Sequence, residues 1–494
     1  MQDPTAFSPS RPCPLSQVKQ WNFETDVIVV GFGAAGACAA IEAAGAGARV
    51  MLFERASGSG GTAALSGGDI YMGGSGGTPV QTHAGFEDTT EDFARYLTMA
   101  GGPAPDPAKV HLYAEGSRAH FGWLTAQGVP YKLSYLPGKR IEPPTDDCLI
   151  WTGSELAWPF AQGAKPCPRG HLPQVTGRAK GRFLMDVLTR RVEALGIDIR
   201  YDSRAQALVA DETGRVHGVV MRIDNETRFA RATRGVILCM GGFAMNREMV
   251  ARHAPKLLRS NDPIGNPGDD GSGIRMGLSV GGAAIHMDEG FCTLPFCPPE
   301  SHAKGILINQ NCQRFINEDC YHGRVGNEAL KQIGDTIYLL ADNDIFERPL
   351  EYSRIEIKAV GETWEEVERE LGVPEGALIA TVAAYNRHAA QGEDPFFHKQ
   401  AKYLKPLDAP PFVALDCSIG KAFYAFFTLG GLDTLPTGEV LTEDRQIVTG
   451  LFAAGRTACG LPRWGSGYSS GMSVGDSTFF GRQAGLRAAK APPA

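Results

Sequence analysis

The segment from Asp26 to Glu54 limits what this chain can fold into more than any other. Residues 27–30 form a short run of Val and Ile that reads as a buried parallel strand. The run leads straight into Gly31-Phe32-Gly33-Ala34-Ala35-Gly36, an alanine-rich stretch over 37–46 then reads as a helix, and residues 50–53 read as a second strand ending at Glu54. Each part has a physical task. Gly31 permits a tight turn, Gly33 lets backbone approach a pyrophosphate with no Cβ between them, and Gly36 lets helix and strand pack closely. The helix N-terminus offers unpaired N–H groups and the positive end of its dipole to phosphate. Glu54 lies 23 residues after Gly31, close to the roughly 20 expected of an acid that accepts hydrogen bonds from a ribose. A bare G-x-G-x-x-G also occurs as a structural turn. With strand, helix, second strand and terminal acid all in register, this one reads as a dinucleotide-binding unit.

The 494 residues suffice for two or three domains and a large core. A net charge of −7 argues against nucleic acid or an anionic membrane as the main partner. Eleven cysteines are scattered without a C-x-x-C pair, so neither zinc spacing nor haem attachment is present and no metal site is expected. Such a set suggests reduced thiols and a cytoplasmic location. Residues 1–22 are polar and contain proline, without the basic start and apolar centre of a signal peptide, and read as a loose tail. The apolar stretch 27–53 is broken by glycines, Glu42 and Arg49, which fits a buried strand-turn-helix unit and not a membrane span; no integral membrane segment is expected.

After Glu54 and Arg55, the run from Ser57 to Gly68, containing Gly61, Thr62, Ser66 and Gly67, cannot be a regular helix or strand and suits backbone wrapped around a ligand. Helices are expected over 90–100 and 108–127, the second opened by Asp106-Pro107, with Trp123 and Leu124 on its core face. Residues 136–180 read as loop. His171 sits there alone, and a lone loop histidine is more often structural than a contact to cofactor or substrate. A helix over 183–195 precedes a small antiparallel meander of 197–201, 205–211 and 216–223. The buried strand 235–240 ends at Gly241-Gly242, where an open α/β sheet places ligands. Gly268-Asp269-Asp270-Gly271 opens a helix over 274–278. Composition shifts from about 279, with helices over 364–371 and 375–390, until Pro410-Pro411. Glycine-rich chemistry then returns at Gly430-Gly431, at a last short strand ending in Gly455-Arg456, and at Gly465-Ser466-Gly467-Tyr468-Ser469-Ser470-Gly471, which runs into a helix near Met472 and Ser473.

These motifs, namely GFGAAG with Glu54, GGTAALSGG, CMGGF, GDDGSG, TLGGL and GLFAAGR, resemble the fumarate reductase/succinate dehydrogenase flavoprotein superfamily in order and over nearly the whole chain. The resemblance implies an α/β fold. A Rossmann-type FAD-binding domain (23–278 plus 412–494) would be split by an inserted α+β catalytic domain (279–411), which covers the flavin and brings Tyr321 to it. It also implies FAD contacts at Gly31, Gly33, Ala34, Ala35, Gly36, Glu54, Arg55, Gly61, Thr62, Ser66, Gly67, Gly68, Gly241, Asp270, Gly455, Arg456, Gly471 and Ser473. Succinate dehydrogenases carry a histidine that links covalently to FAD where Gly61 stands here, so FAD is expected to be held non-covalently. Within the superfamily the chain is similar to the 3-ketosteroid dehydrogenases, most of all the Δ4-(5α) type. The residues that carry this are Glu142-Pro-Pro-x-Asp146-Asp147, Pro168-Arg-Gly-His171, Tyr321-x-Gly-Arg324 and Gly467-Tyr468-x-Ser470-Gly471. The resemblance implies Tyr321, Tyr468 and Ser470 as the catalytic residues.

The implied reaction is α,β-dehydrogenation of a steroid ketone in steroid degradation, with an external electron acceptor. A carbonyl acidifies the neighbouring carbon, a base takes that proton, and the flavin takes a hydride from the next carbon. Tyr468, with a backbone N–H near Gly471, would polarise the 3-keto oxygen, and Ser470 assisted by Tyr321 would remove the proton. The alternatives are a Δ1-type ketosteroid dehydrogenase, a fumarate-type reductase clamping two carboxylates with Arg324, Arg463, His322 or Arg456, and a flavin electron-transfer protein with no substrate of its own.

Overall fold

A computed structural model describes residues 7–493. Its largest sheet has nine strands among the described residues and runs Cys13–Pro14, Ser203–Ala210, Val216–Ile223, Glu226–Leu238, Phe23–Val30, Val50–Phe53, Asp198–Arg200. Ile447–Ala453 also pairs with Glu226–Leu238, and Glu439–Leu441 pairs with Ile447–Ala453. The apolar run of the dinucleotide unit is thus a central strand: Val27, Ile28 and Val29 have no solvent exposure, and Phe23–Val30 is paired in parallel on both sides. Helix Ala34–Gly45 follows the glycine turn and packs on the sheet with helix Met472–Ala489, so the first and last thirds of the chain share one core.

Glu226–Leu238 changes partners along one edge and keeps Phe23–Val30 on the other. Its first half forms an antiparallel hairpin with Val216–Ile223. Beyond a register shift between Ala232 and Gly235, its second half lies parallel to residues 27–30 on one side and 451–453 on the other. The expected strand over 235–240 is therefore the end of a 13-residue strand. Residues 197–201, expected to join the meander, instead supply Asp198–Arg200, a parallel edge strand beside Val50–Phe53.

Three other expectations change. The tail reading of 1–22 fails for its described part: Cys13–Pro14 pairs with Val209 and Ala210 at the sheet edge, and Cys13 is 2% exposed. The register is set by an apolar cysteine inserted beside Val209 and Val220, and one buried position is too little for periodicity to reveal; residues 1–6 lie outside the described residues. The loop reading of 136–180 gives way to a four-stranded sheet of Ile70–Tyr71, Gly170–His171, Leu149–Trp151 and Tyr135–Lys139. Three of its strands have only two or three residues, and the five-residue one, Tyr135–Lys139, is interrupted by Pro137 and Gly138, so none shows the alternation by which a strand is read.

The third concerns the boundary at 411. Ile306–Asn309, Ile337–Asp342, Phe412–Asp416 and Glu356–Gly361 form one antiparallel sheet, covered by helices Trp364–Leu371 and Ala377–Ala389. Phe412–Asp416 sits inside that sheet, so Pro410-Pro411 leads into a strand of this unit and does not close it. A smaller sheet of Asp262–Pro263, Ala425–Thr428 and Gly290–Thr293 carries aromatic residues toward the centre of the molecule. Among the described residues, no helix is long and apolar enough to cross a membrane.

Candidate active site

The parallel strands of the main sheet end side by side, and their carboxyl ends open into one cavity of about 610 Å³. Gly31 N donates to Phe53 O, Cys239 N to Val30 O and Ala454 N to Leu238 O, which draws the four strand ends together. Gly31 has a φ of +101°, and a Cβ there would sit 2.3 Å from the Cys239 carbonyl oxygen. At Gly36 a Cβ would lie 1.9 Å from the Gly31 carbonyl oxygen. Helix Ala34–Gly45 starts at Gly33 with no side-chain cap, so its first N–H groups face the cavity as an anion site. Glu54 accepts hydrogen bonds from Phe32 N at 2.7 Å and Ala56 N at 2.8 Å, which fixes its carboxylate against the glycine turn. Deeper in the wall, buried Asp269 accepts from Thr62 Oγ1 and Arg456 Nη2, both at 2.6 Å. Ser473 Oγ is buried with no partner. Free helix N–H groups, a fixed acid and an orphan hydroxyl along one wall fit a flavin dinucleotide.

The other end of the cavity is built from side chains. Tyr321 is the N-cap residue of helix His322–Leu330. Tyr468 follows the turn Gly465–Gly467, and Ser470 precedes helix Met472–Ala489. All three line the cavity. The Tyr468 ring lies 4.7 Å from Phe291 and 5.4 Å from Phe427, and Phe291 is 6.2 Å from Tyr321, so hydroxyls project from an aromatic wall. Burial pushes the Tyr321 phenol well above its usual range; the neighbouring Tyr468 adds to this and a hydrogen bond with Ser470 opposes it. Burial also raises the Tyr468 phenol. Burial, with Lys139 nearby, pulls His322 down to about 3, so its ring is neutral at pH 7.

Most of the residues singled out from the sequence line this one cavity: Gly31, Gly33, Ala34, Ala35, Glu54, Arg55, Gly61, Thr62, Ser66, Gly67, Gly68, Gly241, Gly455, Arg456, Gly471 and Ser473. Two stand behind the wall. Gly36 faces the Gly31 carbonyl, and Asp270 turns to Arg55 at 3.0 Å and accepts from Ser272 N. Asp269, one residue earlier, holds the cavity position that sequence reading gave to Asp270. His171 is buried off the site, its ring bonded to Thr78 Oγ1 and the Arg169 carbonyl. Sequence reading missed Asp69, although it directly follows Gly67-Gly68. Of the cations weighed for a dicarboxylate, Arg324 is bonded to Ser466 O and lies over Phe160. Arg463 pairs with Asp106 and Arg456 with Asp269.

Residues 26–469 match the sequence pattern of the FAD binding domain family. The fold superimposes on a 3-ketosteroid Δ4-(5α)-dehydrogenase from Rhodococcus jostii RHA1, in complex with 4-androstene-3,17-dione, with a TM-score of 0.91 and 42% identity over 97% of this chain and 100% of that one. The 3-oxo-5-alpha-steroid 4-dehydrogenase of Comamonas testosteroni is 27% identical, covering 88% of this chain and 93% of its own length. A probable fumarate reductase of Shewanella frigidimarina is 28% identical over 94% of this chain and 75% of its own length. The glycine cradle, the strand order and these matches agree, and the chain belongs to the fumarate reductase/succinate dehydrogenase family of FAD-binding flavoproteins.

Proposed function

We propose that this flavoprotein is an FAD-dependent oxidoreductase that introduces a carbon–carbon double bond next to a ketone, as a 3-ketosteroid Δ4-(5α)-dehydrogenase, and passes the electrons to an external acceptor. The observation that carries the reading is the meeting of three hydroxyls, Tyr321, Tyr468 and Ser470, on an aromatic wall of the cavity that the glycine cradle opens into. Bound FAD supplies the two-electron acceptor for the hydrogen on the carbon beyond the acidified one. The protein's part is orientation and proton handling. The Tyr468 hydroxyl donates to the ketone oxygen, where enolate charge develops, and burial keeps it protonated for that purpose. Ser470 faces the α-carbon with Tyr321 beside it. Phe291 and Phe427 give a flat apolar surface for a fused-ring substrate and exclude water.

Clamping a dicarboxylate is a poorer fit, because Arg463 and Arg456 are already paired with carboxylates, Arg324 does not line the cavity and His322 is neutral. Of the further arginines of the cavity, Arg55 pairs with Asp270, and Arg140, Arg178 and Arg204 are solvent-exposed. Anaerobic mixing with a panel of 3-ketosteroids, fumarate and urocanate tests the reading. Saturated 5α-3-ketosteroids should bleach the flavin and return a 4-ene product identified by NMR. A 1-ene product would assign the Δ1 reaction instead. Reoxidation of the reduced enzyme by fumarate, with no bleaching by any ketone, would make it a carboxylate reductase.

A further inference from the structure

Ser470 stands between Tyr321 and Asp69. Its Oγ donates to Asp69 Oδ2 at 3.1 Å. Asp69 is 6% exposed and lines the same cavity. Its other oxygen, Oδ1, is buried with no partner at all. The contact is held from both sides by backbone: strand Ile70–Tyr71, which begins just after Asp69, pairs with Gly170–His171, Tyr71 N donates to Gly471 O, and Ser470 N donates to Thr152 O. The pair joins residues 401 positions apart. A buried carboxylate with an empty lone pair is expensive to keep unless it has work to do.

The proposed reaction needs such a group. Neither a serine nor a tyrosine hydroxyl can keep a proton taken from carbon, and burial makes the Tyr321 phenolate harder to form still. We propose that Asp69 accepts, through Ser470, the proton that leaves the substrate carbon next to the ketone. The inference rests on the ketone-dehydrogenation reading. On the C4/C5 bond, the C4–H bond breaks and its electron pair becomes the new double bond. The hydrogen on C5 departs with its two electrons to the bound FAD. The C4 proton goes to Ser470 Oγ, and the Ser470 hydroxyl proton goes to Asp69 Oδ2. Ser470 ends as it began, Asp69 changes from carboxylate to acid, and the steroid is oxidised by two electrons.

The groups around Asp69 set its working range. Burial raises it to about 6, the carboxylate of Glu142 pushes in the same direction, and the Ser470 hydrogen bond and Lys180 oppose them. Tyr321 and Tyr468 on the aromatic wall are close enough to feel its charge, and Arg178 lies by Glu142. Accepting a proton requires the ionised form. The relay therefore runs fully above about 6 and fails as the pH falls through that value.

The test uses the FAD-loaded enzyme and two readouts: single-turnover flavin reduction by a 5α-3-ketosteroid, and exchange of the C4 hydrogen with solvent deuterium on enzyme already reduced, where no hydride can leave. Both should lose rate on the acid side in the wild type. In Asp69→Asn both should fall at least ~100-fold and lose that acid limb, with FAD content unchanged. Glu142→Gln should retain the limb and move it to lower pH. Wild-type rates and an intact limb in Asp69→Asn would overturn the relay while leaving the dehydrogenase reading in place. A wild type inert to every ketosteroid would overturn both. If Asp69→Asn loses FAD, Asp69→Glu replaces it, and a limb that stays put in that variant counts against the relay.

Discussion

At the cofactor end of the cavity the wall is backbone. Strand ends, a bare helix N-terminus and glycines at 31, 33 and 455 leave the surface where a dinucleotide fits, and the side chains set into it, such as Glu54 and Asp269, are themselves tied to the fold. At the substrate end the wall is side chain. Tyr321, Tyr468, Ser470 and Asp69 arrive from three distant parts of the chain and touch only through their hydroxyl and carboxylate tips. The first kind of wall is inseparable from the fold, because the atoms that form the site also close the sheet. The second is separable, because its tips can be exchanged while the core beneath them stays packed. Substitutions at the two ends should therefore fail in different ways.

The largest effect is expected at the backbone end. In Gly36→Ala the new methyl meets the Gly31 carbonyl at a distance no relaxation of side chains can relieve. We expect a loss of more than about 4 kcal/mol in stability and protein recovered without FAD, read from the flavin absorbance and the thermal melt. If Gly36→Ala folds, binds FAD and only slows turnover, the contrast between the two ends is wrong.

Tyr468→Phe, Ser470→Ala and Tyr321→Phe come next. Each should lower kcat at least ~100-fold with flavin content and melting temperature close to wild type, measured on a 5α-3-ketosteroid. Loss of FAD in these variants would make the tips structural. Glu54→Ala should give an intermediate result. It strands the N–H groups of Phe32 and Ala56, and at about 1.5–3 kcal/mol for a charged acceptor it should weaken FAD binding at least tenfold while the reaction of loaded enzyme is unchanged. In the same titration, denatured wild type should release all its flavin, since Gly61 has no side chain through which to hold it.

The smallest effect on turnover should come from Tyr71→Phe. Tyr71 adjoins the site through its backbone but does not line the cavity; its hydroxyl donates to buried Glu155 at 2.9 Å and its ring stacks on Tyr96. Its loss should cost about 1–2 kcal/mol of stability with kcat unchanged. A kcat as low as that of Ser470→Ala would extend the side-chain wall inward to Tyr71.

The same contrast explains what could be read from the sequence. The backbone wall comes from contiguous motifs whose spacing is itself the geometry, so Gly31, Gly33, Glu54 and Gly455 were legible at once. The three hydroxyls were legible only through family resemblance, since nothing local distinguishes Tyr468 from a packed tyrosine. Asp69 escaped because its meaning lies in a partner across the fold. Asp269 and Asp270 are adjacent acids that look alike in the sequence, and only the fold turns Asp269 to the cavity and Asp270 to Arg55. The sheet built by residues 135–171 and the docking of Cys13 depend on strands too short or, at Pro137 and Gly138, too interrupted to carry a period.

The change of partners along Glu226–Leu238 has a bearing on how the chain reaches this state. Its first half closes a hairpin with its immediate neighbour, an event of about 1–10 μs in isolated hairpins. Its second half must wait for segments roughly 200 residues away in both directions along the chain. One strand is thus both an early template and a late clasp. The loop-closure entropy of joining residues 27–30 to 451–453 falls on the same three or four residues whose ends carry the cofactor. A nascent chain that has made its phosphate turn still has no cradle, because Ala454 and Gly455 follow that turn by more than 400 residues. Flavin capture therefore marks the moment Ile447–Ala453 joins Phe23–Val30 across Glu226–Leu238.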